Sequence, residues 1–206
     1  LPITRDLAAR FEVNGTTIQQ ALNTLKAEGF LVGEKGKGVF VRDRQPFLVE
    51  VANYIEPSPG SYSYTSLDVH ETRPPVDVAR ALGLAEADVA VLRRRVLLHD
   101  GDPVELSWSY YPVELARGTR LADRRKIPGG APRVLAELGY PERDLVDEVS
   151  VRFPTTEELQ LLELPMSVPV LQQFRVVYSD AQRPVEVSVL VKGGHLYLLR
   201  YRQQIH

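Results

Sequence analysis

The apolar positions of the first thirty residues fall into two runs with helical spacing, separated by a polar break. The first run is Leu7, Ala8 and Phe11, and the second is Ile18, Ala21, Leu22 and Leu25. Each run is typical of one face of an amphipathic helix. Thr4 is the nearest N-cap candidate for the first helix, and the second is expected to start after Asn14 and to stop at Gly29. This order predicts a helix-turn-helix.

A hairpin is predicted directly after the second helix. Apolar residues 30–31 and 39–41 flank the segment 34–38, in which Lys35 and Lys37 alternate with glycines and favour a tight, basic tip. A ribbon in this position is the wing of a winged helix-turn-helix. The alternative is a helical hairpin with a β-ribbon that binds nothing.

After residue 46 the pattern changes to short alternating segments and short helices, which predicts an α+β fold with an antiparallel sheet. The predicted strands are 48–55, 61–71, 89–99, 104–111, 145–153, 170–178, 185–192 and 195–202. The predicted helices are 76–82, 132–138 and 156–162, the last with Thr155 as its N-cap. Pro46 and the charged residues before it mark a linker, so we divide the chain into domains 1–45 and 46–206.

Part of the second domain repeats itself after about 80 residues. The corresponding pairs are Leu82 and Leu162, Val91 and Val170, Arg95 and Arg175, Pro103 and Pro184, and Glu105 and Glu186. Each unit is expected to be a short helix followed by a hairpin, which turns at residues 100–101 in the first unit and 180–181 in the second. Two such units fit one antiparallel sheet with helices on a face and a cleft between the halves.

Strand alternation predicts that charged side chains share one face of this sheet. Arg93 and Arg95 lie on one strand with Leu97 and His99. Two further strands contribute Glu105, Ser107, Ser109 and Tyr111, and Glu186, Ser188, Leu190 and Lys192. Converging arginine, glutamate and hydroxyl groups are typical of a pocket for a polar small molecule. The alternative is a set of cross-strand salt bridges on a solvated face.

Composition and charge exclude several classes of protein. Among the 206 residues there is no cysteine, which excludes disulfides and thiol catalysis, and the four histidines lack zinc-binding spacing. No apolar run approaches the roughly 18 residues of a membrane helix. Residues 1–45 carry seven Lys/Arg and five Asp/Glu, against 18 and 22 in the remainder, so the N-terminal domain is mildly basic. We expect a cytoplasmic protein without metal, cofactor or membrane partner, whose N-terminal domain contacts DNA.

The polar side of the second helix has the chemistry of a DNA-reading surface. It carries uncharged hydrogen-bonding residues and no acid: Thr16, Thr17, Gln19, Gln20 and Asn23. Gln and Asn can bind adenine with two hydrogen bonds, and threonine can contact thymine or phosphate. Lys35 and Lys37 lie where a wing meets the phosphate backbone or the minor groove. The alternative for either lysine is a solvated turn.

Three motifs in residues 1–42 are spaced as in a known family. They are Leu1-Pro2-x-x-Arg5-x-Leu7-Ala8, Val13-x-x-x-Thr17-Ile18-x-x-Ala21-Leu22-x-x-Leu25-x-x-x-Gly29 and Gly36-Lys37-Gly38-x-Phe40-Val41. Together they resemble the winged helix of GntR-type bacterial transcription regulators. The resemblance assigns operator contacts to Arg5, Asn14, Thr16, Thr17, Gln19, Lys37 and Gly38.

Two departures from the family matter for DNA recognition. The family usually has Ser-Arg where this chain has Asn14-Gly15, and usually an arginine where it has Gln19. We therefore expect a different operator from the usual one. The further helix that precedes the Leu-Pro motif in the family is missing here, and we expect poor operator binding without it.

Ordered motifs also run through residues 48–204. They are Val78-Ala79-x-x-Leu82-Gly83-Leu84, Arg95-x-x-x-x-Asp100-Gly101-x-Pro103-Val104, Pro112, Pro169-Val170-Leu171, Pro184-Val185-Glu186 and Gly194-x-x-Tyr197. They resemble the UTRA effector domain of the HutC subfamily of GntR regulators. The resemblance implies a chorismate-lyase-like fold, a small-molecule effector and a homodimer on double-stranded operator DNA, for which we expect an inverted repeat. The candidate effector-binding residues are Arg93, Arg95, Glu105, Ser107, Glu186 and Tyr197.

The effector is expected to differ from that of sugar-phosphate-sensing members. Many of these have a second arginine where Leu97 stands and a glutamate where Ser107 stands. We expect an amphipathic effector with one polar head on Arg95 and only a weak response to sugar phosphates. Its apolar part would be covered by Leu97, Leu190 and either Trp108 or Tyr111.

These observations predict a ligand-responsive transcription regulator, most often a repressor in this family, and not an enzyme. One alternative is a chorismate-lyase-like enzyme acting on a small anion. The fused DNA-binding domain and the lack of a nucleophile–base pair argue against it. Another alternative is an architectural DNA-binding protein without a ligand.

Overall fold

The computed structural model describes residues 1–28, 30–34, 36–41, 47–50 and 62–200. In the N-terminal part, helices α1 (Thr4–Phe11) and α2 (Gly15–Ala27) precede a hairpin of β1 (Leu31–Glu34) and β2 (Gly38–Val41). This order confirms the predicted winged helix-turn-helix. The predicted helix stop at Gly29 and the domain boundary at residues 45 and 46 lie outside the described residues.

The core of the winged helix is small. It consists of Leu7, Ile18, Leu22 and Leu31, with Ala8 and Val39 packed against them. Phe11 and Leu25, both expected on buried faces, are 61% and 38% exposed, because this core does not extend to them. Thr4 was wrongly predicted as a cap. It is the first helical residue, and Ile3 takes the N-cap position without a side-chain hydrogen bond.

The second part is built on one antiparallel sheet, which confirms the α+β prediction. The strands that form it in the described residues are β4 (Tyr62–Thr72), β5 (Ala90–His99), β6 (Asp102–Pro112), β7 (Asp144–Arg152), β8 (Val170–Tyr178) and β9 (Pro184–Gly193), in the order β4-β5-β6-β9-β8-β7. The helices are α3 (Val76–Leu82), α4 (Val113–Ala116), α5 (Gly130–Glu137) and α6 (Thr156–Leu161). The short helix α4 and the 3-10 turns Arg120–Ala122 and Asp180–Gln182 were not predicted.

The internal repeat gives the sheet an approximate two-fold arrangement. Each unit has the order strand, helix, strand, strand, and the two units meet where β6 pairs with β9. Equivalent residues have equivalent neighbours, since Arg95 lies opposite Ser107 and Arg175 lies opposite Ser188. The repeat seen in the sequence is therefore a repeat of structure, extended by one strand at the start of each unit.

Local sequence explains why the elements begin and turn where they do. Thr155 caps α6 in a capping box with Glu158, as predicted for Thr155. The β5–β6 hairpin turns at Asp100 and Gly101, whose φ values of 52° and 89° are those of a two-residue type I′ turn. Asp-Gly suits this turn because both positions need positive φ.

The two faces of the sheet are covered differently. Helices α3 and α6 pack on one face against apolar residues of the central strands. On the other face, α4, the turn Arg120–Ala122 and α5 cover one end. A second cluster on this face contains Leu97, Val104, Leu196 and Tyr197. There β10 (Tyr197–Arg200) begins, and it pairs in parallel with β3 (Phe47–Glu50). Between the two clusters this face carries polar side chains, and we call it the polar face.

Candidate functional site

The DNA-facing candidates on α2 are exposed, and two of them also organise the helix. Asn14 Oδ1 accepts hydrogen bonds from the Thr17 amide at 2.7 Å and from Thr17 Oγ1 at 2.9 Å, so Asn14 is the predicted cap. Gln19 Nε2 donates to Asn23 Oδ1 at 3.1 Å. This bond uses the amide nitrogen of Gln19 and does not involve its carbonyl oxygen. Thr16 is also exposed on this helix.

The remaining DNA-facing candidates lie on the wing and on α1. Lys37 Nζ is 3.0 Å from Glu34 Oε2, and its side chain is 75% exposed. Gly38 has φ of 115°, a conformation that residues with a Cβ rarely adopt. Arg5 is exposed, and its ion-pair contact in the described part of the chain is to the neighbouring Asp6 at 3.6 Å. Lys35 lies outside the described residues.

On the polar face, a chain of hydrogen bonds joins Arg95 to Glu186. Arg95 Nη2 donates to Ser109 Oγ at 2.9 Å and lies 3.3 Å from Ser107 Oγ. Ser109 Oγ lies 2.6 Å from Ser188 Oγ, which donates to Glu186 Oε1 at 2.5 Å. An ionised carboxylate only accepts hydrogen bonds, so the hydroxyl protons all point from Arg95 towards Glu186. We call this chain the hydroxyl relay.

The repeat explains why Glu186 has a hydroxyl partner where its counterpart has a cation. Glu105, the counterpart, lies opposite Lys192 and forms a buried ion pair with it at 2.8 Å. In the first unit the position equivalent to Lys192 is Tyr111, which carries no positive charge. Glu105 therefore forms a cross-strand salt bridge, but a buried one rather than one on a solvated face.

Two other candidates are held by neighbouring structure. The guanidinium of Arg93 donates to the carbonyl oxygens of Leu121 at 2.8 Å and of Asp123 at 2.5 Å, and it anchors the loop that follows α4. Tyr197 is buried, and Lys192 Nζ lies 5.5 Å from the centre of its ring. Arg93 lies opposite Ser109 of the relay, and Tyr197 packs with Leu97 at one end of the polar face.

Most of the residues that were expected to cover the apolar part of the effector do not lie beside Arg95. Leu97 is buried in the cluster with Leu196 and Tyr197, because that segment folds over this end of the polar face. Trp108 packs on the helix-covered face, since alternation along β6 turns it away from Ser107 and Ser109. A half-buried Leu190 remains on the polar face, opposite Ser107.

Sequence reasoning missed a second polar network on this face. Arg175 forms a bidentate ion pair with Asp147, at 2.6 and 2.7 Å, and Gln173 links Asp147 to Lys192. Alternation along β8 could have identified Gln173 and Arg175, because they face Leu190 and Ser188. The network was missed because only the strands that correspond to β5, β6 and β9 were assigned to the polar face.

The charge of Arg95 is stabilised in place. Burial disfavours the charged form, but the surrounding Tyr111, Glu186, Tyr64 and Glu105 outweigh it and raise the pKa of Arg95. The side chain is therefore a permanent cation beside a polar surface. Over the ranges that the structure describes, no cluster of His, Asp and Glu suited to a metal ion is present. No helix in those ranges is long and apolar enough to cross a membrane.

Comparisons with known proteins agree on one family. The profile of the UTRA domain matches residues 60–197, and that of bacterial regulatory proteins of the gntR family matches residues 1–41. An uncharacterised HTH-type transcriptional regulator of Streptomyces coelicolor is 29% identical over 223 residues, which cover 98% of this chain and 83% of that relative.

Solved structures share the fold. PhnF from Mycobacterium smegmatis has a TM-score of 0.68 at 20% identity, over 100% of this chain and 92% of that one. The C-terminal domain of the histidine utilization repressor from Pseudomonas syringae has a TM-score of 0.59 at 18% identity, over 70% of this chain and 99% of that one. At these identities the likeness concerns the fold alone.

Proposed function

The chain belongs to the GntR family of bacterial transcriptional regulators and carries a UTRA domain, and from this premise we propose that it is a cytoplasmic repressor of the HutC type. A small-molecule effector would release it from its operator. Its relatives are transcriptional regulators, so the enzyme alternative has no support. Repression is proposed rather than activation because regulators that resemble this chain are most often repressors.

The observation that carries the effector site is the hydroxyl relay. Arg95 and Glu186 carry opposite charges on adjoining parts of the polar face, yet across the described residues they are joined through serines rather than by a direct ion pair. Each can therefore still bind a ligand group. Buried charges that are not directly paired are costly to retain for stability alone. Ser107 supports Arg95, whereas Arg93, Glu105 and Tyr197 shape the surrounding wall.

On the DNA side, we propose that α2 enters the major groove and that the wing meets the backbone. Thr16, Thr17 and Gln19 present uncharged groups to base edges, while Arg5, Lys37 and the wing lysine Lys35 supply phosphate contacts. Asn14 fixes the start of the helix through its cap. Gly38 allows the wing backbone to turn and approach DNA.

Dimerisation is proposed to use the edge of the sheet. Within the described chain β7 has a neighbour on one side only, and it exposes apolar side chains. Val149 is 42%, Val151 69% and the following Phe153 75% exposed. An uncovered apolar edge strand is a site for pairing with a second copy. A two-fold dimer would then bind an inverted repeat.

A titration of operator-bound protein tests the proposed function. An operator selected from random duplexes is labelled, and its release is followed by fluorescence anisotropy during addition of a metabolite panel. We expect release by a compound that also raises the melting temperature of the chain without being consumed. Turnover of the compound would support an enzyme, and micromolar release by glucose 6-phosphate would contradict the expected ligand chemistry.

A further inference from the structure

Glu142 lies in the loop between α5 and β7, and this loop is fixed on both sides of it. The carbonyl oxygen of Pro141 accepts a hydrogen bond from Ser179 Oγ at 2.7 Å. The amide of Arg143 donates to the carbonyl oxygen of Tyr178 at 2.8 Å. Backbone anchors on both neighbours determine the position from which the Glu142 side chain extends.

The carboxyl group of Glu142 is enclosed and unsatisfied. Both of its oxygens are buried, and neither finds a hydrogen-bond partner among the described residues. Burial and the negative charge of Glu186 raise the pKa of Glu142 to about 7, against an opposing effect of Arg175. A buried acceptor without a donor costs free energy. A ligand group that donates a hydrogen bond to it removes this cost and therefore binds more tightly.

The other end of the relay also has an unsatisfied group. Arg95 Nε is buried without a hydrogen-bond partner in the described part of the chain. The relay between Arg95 and Glu186 consists of bonds of 2.9, 2.6 and 2.5 Å, so its two charged ends are at most about 8 Å apart. The hydroxyl protons of Ser109 and Ser188 are already used. The relay therefore offers a charged group to a ligand only at its two ends.

Building on the proposed effector site, we propose that Glu142 and Glu186 form an acidic subsite for a protonated amine, while Arg95 holds a carboxylate. The effector is then a small zwitterion, an amine-bearing carboxylate whose two charges span the relay. The two residues lie at the same end of the sheet, because the amide of Arg143, next to Glu142, bonds Tyr178, and the preceding Val177 lies opposite Glu186. An ammonium group fits because it offers three donors and a positive charge to two carboxyl groups. A phosphate dianion would be repelled by the same pair.

Three probes of equal chain length separate the two subsites. These are 5-aminopentanoate with both charges, pentanoate with the carboxylate alone and pentylamine with the amine alone. Binding to the full chain is measured by calorimetry. We expect 5-aminopentanoate to bind more tightly than either single-charge probe. We also expect proton release near pH 6, because an ammonium beside Glu142 lowers its pKa, and no such release with pentanoate.

Two variants assign the subsites. Glu142→Gln keeps the shape of the side chain and is expected to weaken 5-aminopentanoate about tenfold and to abolish proton release, with pentanoate affected little. Arg95→Ala is expected to remove pentanoate binding. Unchanged 5-aminopentanoate affinity in Glu142→Gln, with pentanoate binding still dependent on Arg95, would overturn the acidic subsite alone. Absence of any Arg95-dependent binding would overturn the effector site and the subsite together.

Discussion

Charged residues on the polar face are neutralised in two different ways. Arg175 with Asp147 and Lys192 with Glu105 form direct buried ion pairs, whose geometry satisfies both partners. Such pairs offset their own desolvation and leave little capacity for a ligand. The charge of Arg95 is instead met by hydroxyl groups, which can keep it solvated while a ligand exchanges. The difference separates structural charges from the candidate binding charges.

At the level of single residues, Gln19 is expected to read a base. The Gln19→Ala variant should lose about 1–3 kcal/mol of binding at the selected operator and little on random DNA, because a base contact discriminates between sequences. Thr24→Ala, at an exposed position of the same helix outside the predicted DNA-reading surface, is the control. Anisotropy titrations on both duplexes provide the measurement. Equal losses on the two duplexes would show that Gln19 reads no base.

The raised pKa of Glu142 has a consequence for stability. The protonated form favours folding, so its contribution is complete below the unfolded value of about 4.3 and is lost as pH rises through about 7. The free energy of unfolding of Glu142→Gln should therefore rise relative to that of the wild type between these pH values. Above pH 7 the difference should be about 2 kcal/mol once solvent screening is allowed for. Urea unfolding from pH 4 to 8 measures this. Parallel curves for the two proteins would contradict it.

At the level of elements, the sequence pattern predicted the strands and faces that follow from regular alternation of side chains. Alternation placed Arg95, Ser109, Ser188 and Glu186 on one face, and the two central hairpins formed as expected. The short helix α4 was missed because four residues carry no period. Glu142 was missed for a related reason, since a loop residue has no face until tertiary contacts fix the loop.

The wing is expected to contribute through charge alone. Replacing Lys35 and Lys37 with alanine should weaken binding to all sequences and lower the slope of log K against log salt by about one to two, because each phosphate contact releases counterions. Arg73→Ala with Arg80→Ala removes two exposed charges, one before α3 and one in its last turn, and should leave the slope unchanged. A wild-type slope in the lysine variant would remove the wing from the interface.

The edge strand β7 is expected to hold the dimer. Val151→Lys places a charge in the exposed apolar stripe and should convert the dimer to monomer at micromolar concentration, since a desolvated lysine opposes strand pairing. Thr65→Lys on β4, the opposite edge of the sheet, is the matched control and should remain dimeric. Sedimentation velocity distinguishes the two forms. A dimer in both variants would place the interface elsewhere.

For the molecule as a whole, regulation requires that the two binding events be coupled. An effector that weakens operator binding by some factor must itself be bound more weakly by the same factor when the operator is present. The winged helix and the polar face share no residue, so a single substitution can remove the response without removing DNA binding. Arg95 is the residue at which this separation is expected.

Arg95→Ala should bind the operator with wild-type affinity and fail to be released by an effector that releases the wild type. Within the described residues, its side chain contacts Ser107 and Ser109 on the polar face and no candidate DNA-binding residue. Arg94→Ala is the matched control, because the neighbouring arginine lies on the opposite face near Glu157 and Trp108 and should leave release intact. Operator anisotropy with and without effector measures both properties. Normal release of Arg95→Ala, or equal loss of release in Arg94→Ala, would show that the relay does not receive the signal.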